Sequence, residues 1–182
     1  MSQVEIHGYA IVSDNDRIAD ATGLTPDVLR NDADWAYFQA ELNKSDLTVL
    51  GRLGHEANPN PKKRLRMVLS SSSSGLEKHE DGWWWNPSKL SWEEAIGKIL
   101  PKGGRVAVPG GRQVFDLFLT IGYTAFHLTR AEGVFIPDGV AVFSGCDQGK
   151  SAETVLEEAG LKPGGKQVID PNGPVSLVVW AS

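Results

Sequence analysis

Apolar residues in this chain fall into short runs separated by glycine, proline, serine and aspartate, and the spacing within each run predicts its secondary structure. Val4 to Val12 carries Ile6, Tyr9, Ala10, Ile11 and Val12 and stops at the turn formers Ser13-Asp14-Asn15-Asp16, so a buried first strand is expected. From Ala33 to Leu42, Trp35, Phe38 and Leu42 recur at helical spacing beside Asp34. That pattern predicts an amphipathic helix with an acid at its start. Leu47 to Leu50 predicts a strand ending in Gly51-Arg52, and Leu65 to Ser70 predicts another ending in a run of serines.

Gly82 to Trp85 reads as a short strand, and Ser91-Trp92-Glu93-Glu94 has the capping-box pattern that opens a helix reaching about Leu100. Arg105 to Val108 is the next expected strand, closed by Pro109-Gly110-Gly111. Val114, Phe115, Phe118 and Leu119 then give helical periodicity. Strands are expected at Tyr123 to Thr129 and Val140 to Phe143, and a helix from Ser151 to Ala159 stopped by Gly160. Lys166 to Ile169 and Val175 to Trp180, around Asp170-Pro171-Asn172-Gly173, read as a terminal hairpin. Strands alternating with helices predict an α/β fold with a largely parallel sheet covered on both faces and an antiparallel hairpin at its edge.

Composition narrows this picture. A chain of 182 residues with 41% hydrophobic residues can bury a core of its own, and residues 1–182 are expected to form one domain. The net charge of -5 argues against a nucleic-acid partner, which needs clustered cations to neutralise phosphates. The dense basic run Lys62-Lys63-Arg64 with Arg66 is either a solvated loop or a site for an acidic small molecule. Cys146 is the only cysteine, which excludes an internal disulfide and fits a reducing, cytoplasmic setting. No stretch approaches the ~20 apolar residues needed to span a bilayer, so no membrane partner is expected.

The candidate chemistry gathers at expected strand ends. In Pro109-Gly110-Gly111-Arg112-Gln113-Val114, glycines let the backbone approach a ligand, and the N–H groups opening the next helix favour phosphate. Arg52 after Gly51, and Ser70 with Ser71, are two further phosphate candidates at strand ends, where open α/β sheets bind ligands. Asp34 has two readings: a charge that favours the positive end of a helix, or a partly buried carboxylate facing a ligand. Asp32 competes for either role. Trp83-Trp84-Trp85 fits a stacking platform or a strand showing alternate indoles to core and rim. His7, His55, His79 and His127 show no metal-ligand spacing, so no metal is expected.

In order, GYAIVSDNDRIA, DWAYF, VLGR, RLRMVLSS, VAVPGGRQVFDLFL and HLTRA resemble the dihydrofolate reductase family from about Ile6 to Pro137. The resemblance implies that family's fold, a mostly parallel mixed sheet of about eight strands, and NADPH-dependent reduction of a pterin-type ring, dihydrofolate first. Asp34 would match the acid that hydrogen-bonds the ring nitrogen and exocyclic amine, and Thr129 the hydroxyl that shares this contact. Phe38 would pack on the ring, Ala10 would line its pocket, and Arg64 would pair with the folate carboxylate. Arg52, Ser70 and Ser71 would lie by the adenosine 2′-phosphate. Gly110, Gly111, Arg112, Gln113 and Val114 would form the pyrophosphate and nicotinamide-side turn, with Gly51, Ala10 and Ile18 also beside the cofactor. A dihydropterin-like small molecule is the implied partner, and the protein itself a monomer or homodimer.

Several positions depart from the family pattern. Ala19 to Ala33 has no tryptophan where the mobile lid usually carries one, and Leu53-Gly54 follows Gly51-Arg52 where a threonine is usual. Pro109 replaces an aliphatic residue that packs on the aminobenzoyl group, Ala57-Asn58-Pro59 makes the facing wall more polar, and the helix near Ser151 to Ala159 is additional. The changes gather at the folate tail and lid. They keep open another pterin, a ribosylamino-pyrimidinone as in the riboflavin-pathway reductase of the same fold, or a noncatalytic nucleotide- or pterin-binding protein.

Overall fold

The computed structural model describes residues 3–182. The chain runs through β1 (Gln3–Val12), β2 (Arg17–Ala19), α1 (Asp32–Asn43), β3 (Leu47–Leu50), α2 (Arg52–Ala57), β4 (Arg66–Leu69), β5 (Leu76–His79) and β6 (Gly82–Trp85). It continues through α3 (Trp92–Ile99), β7 (Gly103–Gly110), α4 (Arg112–Ile121), β8 (Ala125–Ala131), β9 (Val140–Ala141), α5 (Ala152–Glu158), β10 (Lys162–Pro163), β11 (Gln167–Asp170) and β12 (Val175–Ala181). Among the described residues, no helix is long and apolar enough to cross a membrane.

Ten strands form one mixed sheet, in the order β10-β12-β8-β1-β7-β3-β4-β6-β5 with β11 beside β12, and β2 pairs with β9 in a separate ribbon. The centre, from β8 through β6, is parallel, and β12 and β5 add antiparallel edges. Four details differ from the sequence reading. The sheet has ten strands instead of about eight, because β5 pairs with β6 and the very short β10 joins the edge. Helix α2 occupies a stretch too short and too polar to show helical periodicity. β8 starts two residues late, since Tyr123 lies in the turn and donates its hydroxyl to the Phe115 carbonyl at 3.0 Å. β9 is only two residues long, although Val142 and Phe143 beyond it are buried.

Period-two alternation divides the sheet into two unlike faces. Ile6 and Val12 of β1, Val106 and Val108 of β7, and Phe126 and Leu128 of β8 point into a large apolar core closed by Trp92 and Ile96 of α3, Phe115 and Phe118 of α4, and Leu156 of α5. The opposite face carries His7, Tyr9, Arg105, His127 and Thr129 and is covered by α1. Helix ends follow capping rules: the side chains of Asn31, Ser91 and Ser151 accept the backbone N–H groups of Asp34, Glu94 and Thr154. α4 begins at Gly111 and has no side-chain cap, so its first N–H groups are left for another partner.

β1 has parallel partners on both sides, but over different stretches. Its ladder with β7 ends at Gly8 opposite Val108, whereas its ladder with β8 continues to Val12 opposite Arg130. β7 stays with β3 as far as Gly110. The two central strands therefore part, and Ala10 and Pro109 stand on opposite banks of the opening. At the fork, a Cβ on Gly8 would lie 2.3 Å from Cδ2 of the fully buried Phe126 ring. Gly8→Ala should therefore destabilise the protein by about 1–3 kcal/mol through overpacking, read as a lower urea midpoint. Phe126→Leu in the same chain should recover part of the loss.

Candidate functional site

The opening between β1 and β7 leads into a cleft of about 1550 Å³ along the carboxyl ends of the parallel strands. A pocket for one small ligand is usually ~300–1,000 Å³, so there is room here for two ligands or one extended one. All the sequence-predicted site residues line this cleft, and they divide between its two ends.

At one end, α1 presents Asp34 and Phe38 above the sheet, opposite Thr129 on β8 and Ala10 on β1. Asp34 sits in the first turn of its helix, and its backbone N–H is held by Asn31 Oδ1 at 3.0 Å. Burial pushes its carboxyl up to about 6, partly offset by hydrogen bonding from the Thr129 hydroxyl, which is itself buried. Asp32 also lines the cleft but is exposed, so burial and the Thr129 contact distinguish Asp34 from it.

At the other end, β7 turns into α4 through Gly110 and Gly111, which are joined by a cis peptide. Gly110 has φ +113, and a Cβ there would come within 3.0 Å of the Phe115 ring, so only glycine fits. The uncapped start of α4 follows, with Arg112, Gln113 and Val114 on the cleft. Gly51, Arg52, Ser70 and Ser71 come to the same end from β3 and β4. Ile18 lines the cleft from the β2 ribbon.

The arginines predicted from sequence to meet anions all have internal partners. Arg52 pairs with Glu56 at 2.9 Å and lies over the Trp84 ring at 5.2 Å. Arg112 pairs with Asp147 at 3.1 Å, and Asp147 also holds Arg17 of the β2 ribbon at 2.6 Å. Arg64 donates to Gln39 at 3.2 Å and to Asn43 at 2.7 Å, both on α1. Ser71 is exposed, while the Ser70 side chain is buried against Ser72 at 3.0 Å.

Residues outside the predicted set complete the cleft. The segment after β2 is turned by Asp20, whose Oδ1 accepts the Thr22 N–H at 2.8 Å, and it brings Gly23, Leu24 and Thr25 to the rim. Leu53 of α2 also lies at that rim, within reach of Gly23. Trp35 stands on the cleft from α1 while 58% exposed. Tyr37 and His127 line the cleft too, joined at 2.6 Å from Tyr37 Oη to His127 Nδ1. Their signal was present in the spacing: Tyr37 is one helical turn beyond Asp34, and His127 is one strand repeat before Thr129.

No protein-family model matches the chain, and no curated protein sequence matches it. Solved structures do. A dihydrofolate reductase from Enterococcus faecalis, complexed with NADP(H) and RAB-propyl, superposes with a TM-score of 0.68 at 18% identity, over 99% of this chain and 97% of its own. The fold is dihydrofolate reductase-like. A riboflavin biosynthesis protein from Shewanella sp. PV-4 matches that fold equally well, with a TM-score of 0.69 at 18% identity over 98% of both chains. A deaminase/reductase of phosphoribosylaminopyrimidines from Thermotoga maritima matches with a TM-score of 0.67 at 16% identity, over 98% of this chain but 56% of its own.

The raised carboxyl of Asp34 has a thermodynamic consequence. Its native pKa of about 6 lies above the usual 3.8, so its ionised form weighs against folding above about pH 6, and this cost disappears below the unfolded value. Asp34→Asn should accordingly raise Tm at about pH 8 and leave it close to wild type at about pH 4, by differential scanning calorimetry. An unchanged Tm at the higher pH would place Asp34 in contact with solvent.

Proposed function

We propose that this chain is an NADPH-dependent reductase that transfers hydride to a pterin-type ring, with dihydrofolate as the first substrate to test. One observation carries the reading: a half-buried carboxylate, Asp34, shares the wall of the strand opening with Thr129, in the same cleft as a glycine turn at the start of an uncapped helix. A carboxylate in that setting suits two adjacent N–H donors, as on an aminopyrimidine ring edge, and the helix start across the cleft suits a phosphate.

The residues fit the cofactor by geometry and by charge. Gly110 and Gly111, with the N–H groups of Arg112, Gln113 and Val114, would hold the pyrophosphate. Arg52 and Ser71 would meet the 2′-phosphate beside Ser70, with Gly51 allowing close approach. Ala10 and Ile18 would flank the nicotinamide. When bound, NADPH supplies the hydride. Asp34 orients and polarises the ring, Thr129 fixes the carboxyl that does so, and Phe38 packs on the ring face. Leu24 and Trp35 restrict water at the rim. In this scheme Asp34 does not donate directly to the ring nitrogen that gains a proton; water supplies that proton.

A second reading has its own support. Arg64, the residue that would pair with the folate carboxylate, is committed to Gln39 and Asn43 on α1. A substrate without a glutamate tail needs no release of Arg64, which favours an unconjugated pterin or a ribosylamino-pyrimidinone.

The deciding assay follows NADPH oxidation with dihydrofolate, an unconjugated dihydropterin and the ribosylamino-pyrimidinone. Turnover of at least one is expected, with Asp34→Asn lowering it by at least about 100-fold while NADPH affinity changes little. Activity on the pyrimidinone alone would replace the pterin reading with the second. NADPH binding without turnover of any of the three would mark a noncatalytic binding protein.

A further inference from the structure

Beneath α1 lies a chain of polar contacts that the proposed chemistry does not use. Tyr37 Oη meets His127 Nδ1 at 2.6 Å, His127 Nε2 meets His7 Nδ1 at 3.0 Å, and His7 Nε2 meets Glu5 Oε1 at 3.2 Å near the protein surface. Beside it, Glu41 accepts from Tyr9 at 3.1 Å, from Arg105 at 2.5 Å and from Lys44 at 3.0 Å. Arg105 also donates to His7 Nδ1 at 3.3 Å.

Donor chemistry orients the whole chain. A carboxylate only accepts, so His7 carries its proton on Nε2 toward Glu5. A guanidinium only donates, so the Arg105 contact independently makes His7 Nδ1 an acceptor. His127 must then give its Nε2 proton to His7, which leaves its Nδ1 as the acceptor for the Tyr37 hydroxyl. Both imidazoles have to be neutral for this to hold. Burial does lower the pKa of His7, and it lowers that of His127 to about 4. The Tyr37 phenol is pushed up to about 12 by burial, so it keeps its proton.

The hydrogen of Tyr37 is therefore taken up by His127, which leaves the oxygen's free lone pair to accept from a ligand in the cleft. Asp34 and Tyr37 are three residues apart on α1 and both line the cleft, so a ring edge held by Asp34 lies alongside Tyr37. We propose that Tyr37 Oη, fixed by the His127–His7–Glu5 chain, is a specificity-determining acceptor that selects heterocycles carrying an exocyclic amine next to the ring N–H read by Asp34. This deepens the heterocycle reading above and rests on it. It explains why two buried histidines stand on a sheet face that could have been packed with apolar side chains.

Two measurements test it. In ligand-free protein, nitrogen NMR of the histidine rings should show His127 bearing its proton on Nε2, with Nδ1 bare; a proton on Nδ1 overturns the proposal whatever the ligand does. Binding is then measured for pterin and for the same oxopteridine ring without the exocyclic amine, with wild type and Tyr37→Phe. Wild type should prefer pterin, and Tyr37→Phe should reduce the ratio of the two affinities about fivefold, as expected for one neutral hydrogen bond. Its urea midpoint, measured alongside, reports any loss of folding. If both rings bind and the ratio is unchanged in Tyr37→Phe, the acceptor assignment fails while the heterocycle reading stands. If neither ring binds wild type, the heterocycle reading fails and the assignment falls with it.

Discussion

The separation of β1 from β7 beyond Gly8 and Val108 is the constraint on which the rest of the structure depends. A continuous ladder there would satisfy the backbone but leave no opening between the central strands. Because β1 continues with β8 and β7 continues with β3, each strand keeps one partner and the sheet stays intact on both sides of the fork. Close packing makes the fork possible, since the Phe126 ring occupies the volume where any side chain on Gly8 would go. The banks of the opening are backbone at Ala10 and Pro109, and the functional side chains come from elements on either side.

Helix α1 does two jobs that pull in different directions. Its Asp34 turn puts a carboxyl on the cleft wall where burial raises the pKa, which opposes folding at neutral pH. Three and seven residues later, Tyr37 and Glu41 fasten the helix to the sheet through His127, Tyr9 and Arg105. Burial works against the Glu41 carboxylate, yet the Lys44 hydrogen bond, the Arg105 charge and the Tyr9 hydroxyl hold its pKa below the usual value. Truncating one partner of such a buried set leaves the others uncompensated, so the network fixes the position of α1 more than it adds net stability.

A similar division appears at the glycine-turn end of the cleft. The β2 ribbon, the turn holding Asp147 and the start of α4 are linked by Arg17 and Arg112, both on Asp147. Asp16 ties the same region to the sheet and to α5, accepting from Arg130 at 2.7 Å and from the Ala152 N–H at 3.1 Å. The additional C-terminal helix thus supports the loop that follows the first strand. The helix start that follows the glycine turn is tied to the β2 ribbon through Asp147.

The sequence by itself determined the order of elements, the strand ends that gather at the cleft and the local chemistry of the glycine turn, because these depend on period, capping and backbone freedom within a few residues. It also held the resemblance to the dihydrofolate reductase fold in the order of GYAIVSDNDRIA, DWAYF and VAVPGGRQVFDLFL. What tertiary structure alone decided was which carboxylate is withdrawn from solvent, since Asp32 and Asp34 differ only in the direction each faces from α1. It also decided that Arg52, Arg64 and Arg112 have internal partners, and that His7 and His127, 120 residues apart, share a hydrogen bond. Burial and proton placement are set by whatever packs against a side chain from distant parts of the chain, and no local pattern encodes that.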